Sequence, residues 1–257
     1  MEQTAKIGFA IGSALIIWVL HRLVGTYPPP RERSARPGRD LRRALLLWLV
    51  ALVTETLRVA AITPWLEQHV PDLTLRELVQ VPLLSLPYLV LPLAVMLRDG
   101  WPLRDLGLTW KTRSSSVTAF ALGFGILGGS VPFLTGQAVM GYAPLPAGVF
   151  VLLVYTNAFL EEFFHRGVIQ STLARAIGHG RAIAAGAVLF GQTHAAFDIS
   201  RLAPGEGVAG VALAMLLQGM AGGLFGIVFA KTGSLWPGMV CHYLLNWLSA
   251  MLVAGSR

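Results

Sequence analysis

The first residues in this chain able to do chemistry are two adjacent carboxylates inside an apolar run, in Phe159-Leu160-Glu161-Glu162-Phe163-Phe164-His165-Arg166-Gly167. The surrounding run, 148–169, is about as long as a helix must be to cross a bilayer core. A charged group at that depth costs at least about 2.5–3.5 kcal/mol, so such residues are functional-site candidates by default. The plainer reading is a polar seam that glues helices together. On a helix, Glu162 and Arg166 stand four apart on one face, as do Glu161 and His165. The first pair reads as an internal ion pair. Glu161 is then the carboxylate left for acid–base work.

Two later apolar stretches add polar groups: His194 in Phe190-Gly-Gln-Thr-His194, and His242 with Asn246 in His242-Tyr-Leu-Leu-Asn246. His242 and Asn246 are four apart and share a helical face, as do Phe190 and His194. A lone intramembrane histidine is more often a packed, hydrogen-bonded group than a catalyst, but this set spans three segments. Gathered in a low-dielectric surround, these groups suit acyl hydrolysis by water. A desolvated carboxylate makes a good general base, so Glu161 can take the proton of an attacking water. His242 and Asn246 can donate to the oxyanion, and His194 can hold the water or polarise the carbonyl. A zinc version is also open, with Glu161, His194 and His242 as the two-histidine, one-carboxylate set and His165 as a weaker ligand. No His-Glu-x-x-His motif supports it. Cys241 as a thiol nucleophile is disfavoured, because adjacent helical residues such as Cys241 and His242 point about 100° apart.

The elements that must position these groups are membrane helices. Charged residues are 13% of the 257-residue chain and hydrophobic ones 54%, with a mean hydropathy of +0.63. A soluble domain would carry about a quarter charged residues. The apolar runs are continuous rather than alternating, which excludes a transmembrane barrel. The expected fold is all-α, a polytopic bundle of about eight spans at 7–24, 44–62, 81–97, 117–134, 148–169, 182–199, 208–230 and 236–253. Residues 1–257 read as one integral-membrane domain with a catalytic core over 148–254, and the first span as an uncleaved anchor. Pro87 and Pro92 should bend the third span. Residues 67–80 read as a polar connection or a surface helix, and Glu55 with Arg58 as a local ion pair, the alternative being that they line a cavity. Glycines 123, 125, 128 and 129 of the fourth span, and 219, 222, 223 and 226 of the seventh, suit close helix packing. The single cysteine rules out an internal disulfide. Odd-numbered connections carry fourteen Lys and Arg, while even ones and the termini carry four. That bias predicts cytoplasmic odd loops and termini on the other side. The net charge of +7 therefore reads as an orientation signal rather than a nucleic-acid footprint.

Glu161-Glu162-x-x-x-Arg166, Phe190-x-x-x-His194 and His242-x-x-x-Asn246, in that order on late spans, resemble the CAAX protease and bacteriocin-processing (Abi) family of type II CAAX prenyl endopeptidases. The motifs cover about 155–250, and Leu106-Gly107-Leu108 is similar to a segment that often precedes them. The resemblance implies an eight-helix intramembrane endopeptidase. In it Glu161 and His194 activate water, His242 and Asn246 serve the oxyanion, and Glu162, Arg166 and Phe190 support them. It implies a peptide or lipid-modified protein as substrate, membrane lipids as surroundings and no nucleic acid. The family is described both as zinc-dependent and as metal-free, and the metal-free form is the one expected here. The short loops suggest a bacterial-type member of the inner (plasma) membrane. Two other classes stay open: a non-catalytic immunity or scaffold protein of the same fold, and a proton-coupled transporter. Against the transporter stands the absence of an inverted repeat.

Overall fold

Proline, glycine and one aspartate punctuate the apolar runs and set where the helices begin, widen and stop. The computed structural model describes residues 27, 34–134, 147–200 and 207–255. They are helical, with no strand among the described residues. Five helices are long and apolar enough to cross a membrane: α1 (Pro37–His69), α2 (Leu73–Arg98), α3 (Ser115–Leu134), α5 (His179–Ser200) and α6 (Gly207–Thr232). The protein is an integral membrane protein. The run 147–177, α4, alternates α-helical and π-helical turns, and α7 (Trp236–Gly255) closes the order. Seven of the eight expected spans thus fall on described helices, and the first, 7–24, lies outside the described residues.

Residues 67–80 are helical except at 70–72, which join two helices. α1 runs on to His69, and α2 already starts at Leu73, where the Asp72 side chain accepts from Leu75 N at 2.7 Å. Asp72 is thus an N-cap that satisfies one of the amides orphaned at a helix start. The bend expected from proline in α2 takes the form of a π turn over Leu86–Val90 that contains Pro87. Proline supplies no amide hydrogen, and i→i+5 bonding around it absorbs the irregularity. At the other end of α4, Gly178 adopts φ +83°, which stops the helix and lets α5 begin at His179.

By its internal contacts the chain divides into two compact units, residues 1–65 with 168–230 and residues 66–167 with 231–257. The first holds most of α1, the C-terminal part of α4, α5 and nearly all of α6. Here the seventh-span glycines do what their spacing suggested. A Cβ on Gly219 would meet the Ala187 carbonyl at 3.1 Å, and one on Gly222 would meet the Phe190 ring at 3.0 Å. Gln170 donates to the Gly226 carbonyl at 2.8 Å, a buried polar group satisfied on a helix face without side chain. Trp48 Nε1 reaches the Leu189 carbonyl at 3.0 Å and Thr193 Oγ1 at 3.1 Å, fixing α1 on α5. Glu55 and Arg58 form the expected local pair, Nε to Oε2 at 2.9 Å.

In the second unit α3 packs along α7. A Cβ on Gly125 would lie 2.9 Å from Cys241 Cα, and one on Gly128 would lie 2.6 Å from Leu245 Cδ2. Ser249 Oγ donates to the Gly129 carbonyl. Gly123, by contrast, faces open space. Backbone-to-backbone contact of this kind is the small-residue packing that replaces the hydrophobic effect inside a bilayer. Gly125→Val is therefore expected to lower thermal stability by about 1–3 kcal/mol through overpacking against fixed backbone. Gly123→Val should leave the melting temperature of the detergent-solubilised protein unchanged, and equal losses in both would refute this packing.

Candidate active site

α4 carries the carboxylates on a single short α-helical step, Leu160–Glu162, set between π-helical stretches Val154–Phe159 and Phe163–Gln170. π turns are frequent at functional sites because they shift the side-chain register locally. Here three aromatic rings stack along one flank, Tyr155 on Phe159 at 5.8 Å and Phe159 on Phe163 at 6.0 Å. Ser85 Oγ of α2 meets Tyr155 OH at 2.8 Å, and Tyr88 packs edge-on against Phe164 at 5.0 Å. The step is thus wedged between apolar and aromatic walls.

Glu162 is buried at 1% exposure, and so is Arg166 at 2%. The guanidinium Nε stands 3.2 Å from Glu162 Oε2, the ion pair expected from their spacing. The other carboxylate oxygen, Oε1, is 3.0 Å from His242 Nδ1 on α7. Gly238, one turn earlier on α7, lies beside the same carboxylate, and a Cβ there would make an ordinary contact with Glu162 Oε2 at 3.4 Å. A carboxylate that takes a bond on each oxygen from two buried donors is strongly held. The contact at Nδ1 also sets the orientation of the imidazole ring.

Glu161 lies one residue away and is only partly buried. Its Oε1 accepts from Asn157 Nδ2 at 3.0 Å. Asn157 Oδ1 in turn accepts from Asn246 Nδ2 at 2.9 Å and from Trp247 Nε1 at 3.2 Å. The two neighbouring glutamates therefore differ in kind. Glu162 is buried between Arg166 and His242, while Glu161 is partly buried and stands on a line of amides that ends at Asn246. Asn157 and Trp247 are additions that the motifs do not contain, although Asn157 stands four residues before Glu161 in the same run.

The start of α7 is held by the loop after α2. Leu103–Leu106 forms a 3₁₀ turn that ends on Gly107 at φ +75°. Leu235 N donates to the Gly107 carbonyl at 3.0 Å, Arg113 N to the Thr232 carbonyl at 2.8 Å and Trp236 Nε1 to the Trp110 carbonyl at 3.1 Å. A Cβ on Gly167 would lie 2.7 Å from the Leu106 carbonyl. The Leu106-Gly107-Leu108 segment thus braces both helices that carry the Glu162–His242 contact.

Of the remaining expected residues, His165 is 2% exposed and sits T-shaped against Phe164, ring centroids 5.0 Å apart, within a ring cluster that includes Tyr88. Cys241 is buried with its backbone against Gly125. Phe190 and His194 belong to the other unit. Their rings are 4.6 Å apart, and His194 Nδ1 lies 2.9 Å from the Phe190 carbonyl. Among the described residues no group of three or more His, Cys, Asp or Glu side chains is gathered for a metal ion.

Residues 143–248 match the Rce1-like family, type II CAAX prenyl endopeptidase Rce1-like. The Rce1-like segment includes all three motifs and both partners of the Glu162–His242 bond. It supports a peptidase of CAAX type in the membrane. No curated protein and no solved structure matches the chain.

Proposed function

We propose that this protein is an intramembrane endopeptidase that cleaves a membrane-associated peptide or protein, with Glu161 as general base for the attacking water. The observation that carries the reading is the asymmetry of the two glutamates. Glu162 is 1% exposed between Arg166 and His242, while Glu161 is only partly buried and accepts from Asn157 on the line that leads to Asn246. A general base must lie within hydrogen-bond reach of the proton it takes. The peptide carbonyl, as it becomes tetrahedral, needs donors for its oxygen. Asn246 retains an amide N–H beyond the one spent on Asn157, and His242 presents Nε2. For Nε2 to donate, the ring must hold both protons, and the Glu162 carboxylate behind Nδ1 balances that charge. Arg166, Glu162 and an imidazolium sum to one positive charge, which suits an oxyanion in a low-dielectric setting. The motif order gives His194 a share in activating the water. The base bias of the loops supports a plasma-membrane protein with odd-numbered connections in the cytoplasm.

The proposed hydrolysis uses side chains alone and no zinc. The full chain in liposomes should cleave an internally quenched peptide bearing an S-farnesyl cysteine, at one bond located by mass spectrometry of the products. Turnover should be the same with and without a strong chelator. Loss on chelation and recovery with added Zn²⁺ would overturn the metal-free form. No cleavage of the farnesylated or the unmodified peptide, together with pH-gradient-driven uptake, would favour a transporter instead.

A further inference from the structure

Asn157 joins the group proposed to activate water to one of the groups proposed to receive the oxyanion. We infer that it is a positioning residue that sets the distance and orientation of both. The inference rests on the reading of Glu161 and Asn246 given above. Asn157 is bonded to Glu161, to Asn246 and to Trp247, at 3.0, 2.9 and 3.2 Å. Its amide could in principle sit either way round, but its neighbours leave no choice. An indole N–H only donates and an ionised carboxylate only accepts. Trp247 therefore holds Oδ1, and Glu161 must receive Nδ2–H. With Oδ1 fixed, Asn246 can bond it only through its own Nδ2, so its carboxamide is oriented as well.

The consequence is chemical. Asn246 points its NH₂ group, not its carbonyl, into the line, and one of that group's two hydrogens stays unspent for a developing negative oxygen. Glu161 has Oε1 pinned, which limits rotation of the carboxylate and directs the second oxygen to one place. α4 and α7 supply the two ends, so the register between these helices is tied to the spacing between base and oxyanion donor. A misplacement on the order of 1 Å at such a point costs about a hundredfold in rate. Trp247 acts at one further remove, by deciding which way the Asn157 amide faces.

The test uses the full chain in liposomes with the farnesylated quenched peptide. Asn157→Leu, close in size but unable to bond, should lower kcat by about a hundredfold with KM nearly unchanged. Trp247→Phe should give a smaller loss of the same kind. Combining Asn157→Leu with Asn246→Ala should cost less than the product of the two single losses, because they break a shared bond. Asn157→Ser, whose hydroxyl can still donate to Glu161, should recover part of the rate, and this comparison holds even if Asn157→Leu is poorly folded. An unchanged kcat, a loss confined to KM, full multiplicativity with Asn246→Ala, or a serine variant no better than leucine would each overturn the inference. If Glu161→Gln is inactive while Asn157→Leu is fully active, only the inference falls. If Glu161→Gln turns over normally, the proposed function falls first.

Discussion

Glu161→Gln is expected to stop cleavage while leaving the protein folded in its membrane. Glutamine has nearly the shape of glutamate, and its carbonyl oxygen can still accept from Asn157 Nδ2, the bond now made at 3.0 Å. What it cannot do is take a proton from water. General-base catalysis contributes about 10²–10⁴-fold, so kcat should fall by that factor with little change in KM. The melting temperature in detergent should match the wild type, because a partly buried carboxylate is exchanged for a neutral isostere that keeps its partner. The measurement is turnover of the quenched peptide beside thermal unfolding of the same preparation. Wild-type turnover in the variant would remove Glu161 as the base, and the sealed position of Glu162 would leave the hydrolase reading without one. A protein that keeps its biological effect without Glu161 would instead be a scaffold.

The sequence makes some of this geometry legible and hides the rest for physical reasons. The Glu162–Arg166 pair follows from four-residue spacing, and it forms at 3.2 Å. The α3 glycines predict a close helix contact, and three of four make it while Gly123 does not, because a count of glycines does not say which face they occupy. Asn157 was within reach of the same spacing rule, applied backwards from Glu161, since an amide inside an apolar run also needs a partner. The choice His242 makes was not within reach. It binds Glu162 rather than Glu161, and that depends on how α7 packs beside α4, a long-range contact with no local signal. Nor does apolar periodicity reveal π turns: the extra residue per turn in 154–159 and 163–170 alters which side chains share a face without changing composition. The polar letters of 67–80 suggested a connection, yet most of them lie on helix ends around the Asp72 cap.

Glu162 gives the other large effect, and it falls on stability before it falls on rate. Its two oxygens serve Arg166 at 3.2 Å and His242 at 3.0 Å, all three residues being buried. Glutamine offers one acceptor and one donor group, so Glu162→Gln can satisfy Arg166 or His242 Nδ1–H but sets an N–H against the other. It also removes the larger of the two carboxylate attractions on the buried Arg166, leaving only that of Glu161. Breaking a buried pair from one side costs about 3–5 kcal/mol, enough to lower the melting temperature and the yield of folded protein sharply. Removing both charges, as in the double substitution Glu162→Met with Arg166→Met, should restore most of that stability, since well-packed apolar replacements of buried pairs are often neutral or better by about 1–4 kcal/mol. Turnover should not return with it. His242 would have lost the acceptor that orients its ring and balances its charge, and an oxyanion donor is worth about 10²–10³ in kcat. Stability and activity therefore separate in the double variant, read by thermal unfolding and by peptide turnover. A stable double variant with wild-type turnover would reduce Glu162 and Arg166 to packing. A Glu162→Gln protein as stable as the wild type would mean that the pair is not the buried, mutually dependent one described here.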